Sequence, residues 1–162
     1  MAHDEQRKFL EAISKRFSLH FDQASRVLEI GSQNINGTVR DFFASTKNYI
    51  GVDLGRAKDV DWIIPGNLLE LPDDWADISI STECFEHCEC WSEVFINMLR
   101  LTKPGGMVIV TCASTGRSTH GTIDSEEGSS PFTTSYYKNL GVDDLIEKIS
   151  MGLYFNKHGF EI

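Results

Sequence analysis

The chain carries a short apolar run, Val27–Ile30, that leads directly into a polar loop with glycine at both ends, Gly31 and Gly37. The apolar run predicts a buried parallel strand, and the segment after the loop, Thr38–Phe43, predicts a helix. A strand, a glycine loop and a helix in this order place backbone N–H groups at the carboxyl end of a sheet, where open α/β proteins bind nucleotides. The unit therefore predicts an α/β domain with a ligand site at the strand ends.

An acidic residue inside the strand limits the kind of ligand. Glu29 lies two positions before Gly31, and the loop departs from the G-x-G-x-x-G pattern of dinucleotide-binding loops. A carboxylate at this place repels a pyrophosphate but suits a ligand that carries an ammonium or sulfonium group. An NAD(P)-dependent enzyme is therefore the weaker alternative, and S-adenosylmethionine is the cofactor that the loop favours.

The apolar pattern along the rest of the chain predicts one domain, residues 1–162, with alternating strands and helices. Short connections between these elements indicate a doubly wound, mostly parallel sheet, and the end of the sequence predicts that the C-terminal strands are truncated. The predicted elements are an N-terminal helix within 1–20, strands at 26–30, 48–53, 60–64, 76–81 and 107–111, helices at 38–44, 91–101 and 142–149, and the start of a sixth strand at 160–162.

The net charge and the cysteine content indicate which binding partners and which cellular compartment to expect. Twenty-four acidic and fifteen basic residues give a net charge of −9, which argues against nucleic acid and anionic membranes as partners. The N-terminus has no apolar signal core, and no run is long enough to cross a membrane. Four cysteines without a disulfide framework are consistent with a reducing compartment, so we expect a cytoplasmic protein.

A second acidic residue ends the next predicted strand. Asp53 lies 22 residues after Gly31, at the carboxyl end of the strand at 48–53. A carboxylate at this position accepts two hydrogen bonds from a ribose diol in dinucleotide-binding folds. Its spacing from the glycine loop favours a ribose-bearing ligand over an ordinary turn aspartate.

The glycine loop resembles the first motif of class I S-adenosylmethionine-dependent methyltransferases, in which Glu29, Gly31 and Gly37 hold the acidic and glycine positions. It departs from that motif at Gln33, where a central glycine is common. Two later segments resemble the small-molecule, type 11 members of that family. Ser81–His87 ends in Glu-His, and Leu99–Gly106 ends in Pro-Gly-Gly. The resemblance covers residues 26 to about 112 and implies a Rossmann-like fold, S-adenosylmethionine as cofactor and S-adenosylhomocysteine as product.

The resemblance also implies a cofactor site within the core at 26–112. Asn67 and Leu68 fall in the family's adenine-binding segment, where a side-chain amide and the next backbone N–H suit the adenine edge. The implied cofactor-binding residues are Glu29, Gly31, Ser32, Gly37, Asp53, Asn67, Leu68, Thr82 and Glu83.

A polar loop rich in Gly, Ser and Thr, residues 113–140, follows the fifth strand, and residues 141–162 form the last helix and a partial strand. The loop lies where a methyl acceptor must approach, and we expect it to fold over a small-molecule acceptor of the metabolite or saccharide kind. His120 and His87 are candidate bases for an acceptor that must lose a proton. Candidate acceptor-binding residues are Arg117, Tyr136 and Tyr137.

Three interpretations compete with this one or qualify it. The cluster Cys84, Cys88 and Cys90 suggests a metal site, but it lacks a second ligand pair, so we expect no metal. A catalytically reduced, methyltransferase-like binding module and a truncated form of a longer enzyme stay open. An absent final strand leaves an open sheet edge, through which homo-oligomers form in other proteins.

Overall fold

A parallel sheet organises the computed structural model, which describes residues 4–125 and 127–150. Within these ranges the strands are β1 Arg26–Ile30, β2 Asn48–Asp53, β3 Trp62–Ile63, β4 Ala76–Thr82 and β5 Thr102–Thr111. Their order is β3-β2-β1-β4-β5, and every pairing is parallel. The chain therefore winds outward from β1 in both directions, and the strand order reverses between β1 and β4. The predicted doubly wound α/β class is confirmed.

Helices cover both faces of the sheet. The helices are α1 Asp4–Arg16, α2 Ser18–Gln23, α3 Trp91–Leu101 and α4 Val142–Ser150, with short 3-10 helices at Val39–Phe43, Gly66–Leu68, Phe85–His87 and Glu127–Ser129. On one face Leu10 and Phe21 pack with Ile78 of β4. On the other, α3 packs Phe95 and Met98 against Leu28 of β1. The sheet is thus buried on both sides, as an apolar parallel strand requires.

Two predicted helices differ from the observed ones. The predicted helix at 38–44 is a 3-10 helix, Val39–Phe43, whose first turn is capped by the Thr38 side chain accepting the Arg40 N–H. The N-terminal helix within 1–20 is divided at Phe17, where the backbone leaves helical geometry. Helical periodicity identifies these segments, but it does not distinguish a tight five-residue turn from a longer α-helix.

The third strand is shorter than predicted. Residues 60–64 were expected to be extended, yet only Trp62–Ile63 pair with β2. The reason is Asp61, whose side chain accepts the Gly51 N–H of β2 at 2.7 Å and takes the place of a backbone partner. Arg40 donates to the same carboxylate oxygen, Oδ2, at 2.5 Å.

The amino end of the sheet is closed by one aspartate. Asp77 of β4 accepts hydrogen bonds from the Ser25 N–H, the Ser25 hydroxyl and the Arg26 N–H, and it pairs with Lys103 of β5. Burial alone raises the pKa of this carboxyl, but the Lys103 ammonium and the N–H and O–H donors outweigh it and lower the pKa to about 2. The contacts join β1, β4 and β5.

The remaining predicted elements agree closely with the structure. The strands at 26–30 and 48–53 and the helix at 91–101 have the expected bounds, whereas β5 begins earlier, at Thr102. The predicted sixth strand at 160–162 lies outside the described residues. In the described part of the chain, no helix is both long enough and apolar enough to span a bilayer.

Candidate active site

A cavity of about 560 Å³ opens at the carboxyl ends of β1, β2 and β4, where the strand order reverses. This volume lies within the range of about 300–1,000 Å³ typical of small-molecule sites. Its walls are the loop 31–37, the end of β2, residues 64–67, the segment 82–90 and part of the long loop, 129–136. Open α/β sheets bind their ligands at this position.

Gly31 shapes the floor of the cavity. Its φ is +79°, and a Cβ added there would lie 2.7 Å from both Cβ and Sγ of Cys84. Glycine is therefore required for the backbone conformation and for the close approach of the segment after β4. Next to it, the buried Ser32 hydroxyl has no hydrogen-bond partner among the described residues and is available to a ligand.

Glu29 is a buried carboxylate in the cavity wall. Its Oε2 accepts a hydrogen bond of 2.7 Å from the Tyr49 hydroxyl, and the Arg40 guanidinium lies over the Tyr49 ring. Burial raises the pKa of Glu29 to about 7, although Tyr49 and Arg40 oppose the shift. A cationic group in the cavity would favour the ionised carboxylate.

Asp53 is held at the end of β2 by the glycine loop. Its Oδ2 accepts the Gln33 N–H at 2.9 Å and its Oδ1 accepts the Leu54 N–H at 2.7 Å. Gln33, the residue in place of a glycine, thus fixes Asp53 through its backbone. Each carboxylate oxygen keeps capacity for a second hydrogen bond, so Asp53 can still accept a ligand diol.

The structure brings all but one of the predicted cofactor residues to the cavity. The exception is Leu68, whose side chain is 60% exposed and whose N–H donates to the Pro65 carbonyl. Glu83 stands out because it adopts a left-handed conformation, φ +50°, without being glycine. The predicted residues that line the cavity are Glu29, Gly31, Ser32, Gly37, Asp53, Asn67, Thr82 and Glu83.

The predicted acceptor residues are divided between the cavity and the protein behind it. His87 and Tyr136 line the cavity, whereas His120 is only 7% exposed and packs behind His87 with ring centroids 5.0 Å apart. Tyr137 packs edge-on against both imidazoles. Arg117 lies on the exposed part of the loop, outside the cavity lining. Burial, and secondarily His120, lowers the pKa of His87 to about 4.

Sequence reasoning missed two residues of this region. Glu86 is fully buried beside His87, yet only the histidine of the Glu-His pair was selected as a candidate. Phe132 reaches from the long loop to Gly55, where an added Cβ would meet its ring at 2.4 Å, and it covers part of the cavity. An exposed aromatic residue in a polar loop was the available signal for Phe132.

Residues 28–110 match a protein-family model described as a methyltransferase domain. The match spans just over half of the chain. The chain belongs to the class I S-adenosylmethionine-dependent methyltransferases. The predicted family and its cofactor, S-adenosylmethionine, are thereby confirmed, while no curated protein matches the chain in sequence.

Solved structures show the same fold at low sequence identity. Phosphoethanolamine N-methyltransferase 2 of Haemonchus contortus superposes with a TM-score of 0.59 at 22% identity, over 87% of this chain and 35% of its own. The [4+2]-cyclase SpnF gives 0.61 at 16% identity, over 88% and 55%. The YcgJ protein of Bacillus subtilis gives 0.59 at 17% identity, over 83% and 65%. This methyltransferase domain thus spans between about a third and two thirds of the length of these neighbours.

Proposed function

We propose that the chain binds S-adenosylmethionine in the cavity at the strand ends and transfers its methyl group to a small-molecule acceptor. The observation that carries the proposal is the grouping of Glu29, Ser32 and Asp53 around this cavity, at the reversal of strand order. Family membership adds the expected cofactor. A small molecule named with a neighbour, phosphomonomethylethanolamine in the Haemonchus contortus complex, supports an acceptor of that size.

The donor groups of the cavity fit the parts of S-adenosylmethionine. Glu29 provides a buried carboxylate for a cationic group, and Asp53 provides acceptor capacity for the ribose diol. Asn67 lines the wall beyond β3 and offers an amide to the adenine edge. The cofactor supplies an electrophilic methyl group on a positively charged sulfur.

The chain contributes position and exclusion of water to the transfer. Acceptor and donor must lie in line, and fixing both in one cavity supplies much of the rate. Tyr136 and the segment 129–133 wall the cavity on the acceptor side. In the proposal, Arg117 and Tyr137 orient the acceptor from the long loop, and they act next to the wall rather than in it.

His87 and His120 are the proposed groups that assist an acceptor hydroxyl. His87 lines the cavity and is unprotonated at neutral pH, because burial lowers its pKa to about 4. A general base works best when its pKa is near the working pH. His87 is therefore suited to accept a hydrogen bond and orient the hydroxyl, and is a weak base when it acts alone.

The proposal also covers the binding partners, the cellular location and the oligomeric state of the enzyme. A net charge of −9 disfavours nucleic acid and anionic membranes as partners, and we propose a cytoplasmic location, with which four cysteines lacking a disulfide framework are consistent. Within the described residues, β3 and β5 are the edge strands of the sheet. Pairing of a second copy along β5 is the proposed route to a homo-oligomer.

Calorimetric titration with S-adenosylmethionine and with NAD tests the proposal. We expect binding of S-adenosylmethionine, and a loss of about 1.5–3 kcal/mol, or about 10–150-fold, in the variant Asp53→Ala, because hydrogen bonds to a charged group are removed. Asp22→Ala is the matched control, since Asp22 is exposed on α2. Binding of NAD alone overturns the proposal, and unchanged affinity in Asp53→Ala moves the site elsewhere.

Transfer is measured separately, as release of S-adenosylhomocysteine in the presence of small amines, phenols and saccharides. Release that depends on one acceptor class supports the enzyme. Tight cofactor binding without release for any class favours the alternative of a methyltransferase-like binding module.

A further inference from the structure

Three buried side chains with metal-ligating atoms meet behind the acceptor end of the cavity. They are Glu86 and His87, in the 3-10 helix after β4, and His120, in the long loop after β5. One ligating atom from each residue lies within 4.8 Å of the other two. Their exposed fractions are 0%, 5% and 7%.

The polar atoms of this cluster lack the partners that buried groups normally have. Within the part of the chain that the structure describes, both carboxylate oxygens of Glu86 and Nδ1 of His87 are buried without a hydrogen bond of standard geometry. The N–H groups of Glu86 itself and of Ala113 approach the carboxylate and only partly offset its burial. A buried polar group without a hydrogen-bond partner is destabilising, so a missing partner is expected at this point.

The two imidazoles are held in place from behind. His120 Nδ1 lies 3.0 Å from the Ser118 carbonyl oxygen, and because a carbonyl can only accept, Nδ1 carries the proton. Nε2 of His120 is then left with a free lone pair. Tyr137 packs against both rings, and its hydroxyl donates to Asn139 Oδ1 at 2.7 Å. Fixing the second nitrogen and the ring plane in this way is typical of metal-ligating histidines.

We propose that Glu86, His87 and His120 bind a divalent transition-metal ion, for which Zn²⁺ is the reference ligand. Two imidazoles and one carboxylate suit Zn²⁺, Fe²⁺ or Mn²⁺, whereas Mg²⁺ and Ca²⁺ prefer sets of oxygen ligands. The proposal replaces the expectation of no metal, and it differs from the cysteine cluster that the sequence suggested.

The ion would lie next to the acceptor end of the cavity. His87 belongs both to the cluster and to the cavity wall, whereas Glu86 and His120 lie outside the cavity lining, so an acceptor oxygen could reach the ion only beside His87. A metal-bound hydroxyl has a lowered pKa and releases its proton to solvent. This consequence rests on the proposed function: the oxygen then bonds to the methyl carbon, and the carbon–sulfur bond breaks to leave a neutral thioether.

Metal binding is tested on the whole chain after removal of metal with a chelator and dialysis against Zn²⁺. Mass spectrometry of the dialysed protein should find one ion per chain. Glu86→Gln and His120→Gln should each weaken Zn²⁺ affinity by more than the about 10–100-fold typical of lost supporting contacts. Matched controls are Glu70→Gln and His20→Gln, which change exposed residues and should leave affinity unchanged.

The competing site is the pair Cys88 and Cys90, whose sulfur atoms lie 3.6 Å apart. The absorption spectrum of Co²⁺ bound to the unmodified protein distinguishes the cysteine site from the Glu86, His87 and His120 site. Only thiolate ligands give an intense sulfur-to-cobalt charge-transfer band. Weak d–d bands alone support the proposal. The proposal is overturned by a thiolate band, by Zn²⁺ affinity lost in Cys88→Ser and kept in Glu86→Gln, or by no tight binding at all. Cofactor calorimetry is independent of each of these results.

Discussion

Asp77 and Glu86 are buried carboxylates near opposite ends of β4, and their surroundings differ sharply. Asp77 accepts three hydrogen bonds from Ser25 and Arg26 and pairs with Lys103, and its pKa is lowered to about 2. Among the described residues Glu86 has no hydrogen-bond partner of standard geometry, and burial raises its pKa to about 7. The Asp77 carboxylate is fully hydrogen-bonded within the fold, whereas the Glu86 carboxylate is able to bind a further group.

The comparison indicates that the two ends of the sheet serve different purposes. At the amino end, charge and hydrogen bonds join β1, β4 and β5 and stabilise the domain. At the carboxyl end, Ser32 and Glu86 have buried polar atoms without a hydrogen-bond partner among the described residues, and the pKa of the buried Glu29 carboxyl is raised. Buried polar groups that find no hydrogen-bond partner within the fold are expected at functional sites.

The largest expected effect is at the amino end. Asp77→Ala leaves two N–H groups and the Lys103 ammonium without their acceptor, and we expect the free energy of unfolding to fall by about 3–5 kcal/mol. Urea unfolding measures this change, with Asp22→Ala as the exposed control. Glu86→Gln should be neutral or stabilising in the metal-free protein. Equal losses in Asp77→Ala and Glu86→Gln would remove the distinction between the two ends.

The pH dependence of the free energy of unfolding also distinguishes the two ends of the sheet. The pKa of Glu29 is raised from 4.5 to about 7, so between these values the folded state holds a proton that the unfolded state has released. Glu29 should therefore contribute a fall of about 3 kcal/mol in the free energy of unfolding as pH rises from 4.5 to 7, and Glu29→Gln should remove that share. Glu86, whose pKa is raised over the same range, contributes a further fall that remains in this variant.

Asp77 gives the opposite slope at lower pH. Its pKa is lowered from 3.8 to about 2, so its contribution of about 2 kcal/mol is complete above pH 3.8 and is lost as pH falls through 2. Asp77→Asn should flatten only this acid limb. Urea midpoints across the pH range measure both slopes, and a single slope common to both variants would contradict the assignment.

Two glycine substitutions, one at each end of the sheet, compare the cost of adding a side chain to the backbone. Gly31 and Gly105 both have positive φ, +79° and +76°, but an added Cβ meets Cys84 at 2.7 Å in the first case and nothing within 4 Å in the second. Gly105→Ala should cost about 1 kcal/mol of strain. Gly31→Ala should cost about 2–3 kcal/mol, because Cys84 must also move. Thermal unfolding of the two variants checks the difference.

The smallest expected effect is loss of the Lys103 partner of Asp77. The Lys103 side chain is 44% exposed, so solvent screens its ion pair with the carboxylate. Lys103→Ala should lower the free energy of unfolding by about 0.5 kcal/mol, and high salt should remove the difference from the unmodified protein. A loss as large as that of Asp77→Ala would mean that the backbone donors contribute little.

The parts of the fold that follow hydrophobic periodicity were predictable from the sequence. β1, β2 and α3 have the expected bounds because their apolar residues face one core or the other. The third strand was overestimated because its length depends on the Asp61 side chain, which competes with the backbone for Gly51. A contact of this kind has no periodic signature in the sequence.

The candidate site was predictable where residues lie at the carboxyl end of a strand. Glu29 and Asp53 were placed at the cavity because parallel strands bring their carboxyl ends to one edge. The cluster of Glu86 and His120 was missed because it depends on the path of the long loop and on Glu86 having no hydrogen bond of standard geometry among the described residues. Neither property is encoded in residue spacing.

The strand order affects how the domain folds during its synthesis on the ribosome. β1 is synthesised first, yet Val27 pairs with both Tyr49 and Ile78, so its second neighbour emerges only after β2 and β3. Translation proceeds at about 5–20 residues per second, and the apolar edge of β1 stays uncovered for several seconds. The cavity is completed later still, when residues 129–136 have left the exit tunnel. The segment that completes the cavity is therefore synthesised after all five strands of the sheet.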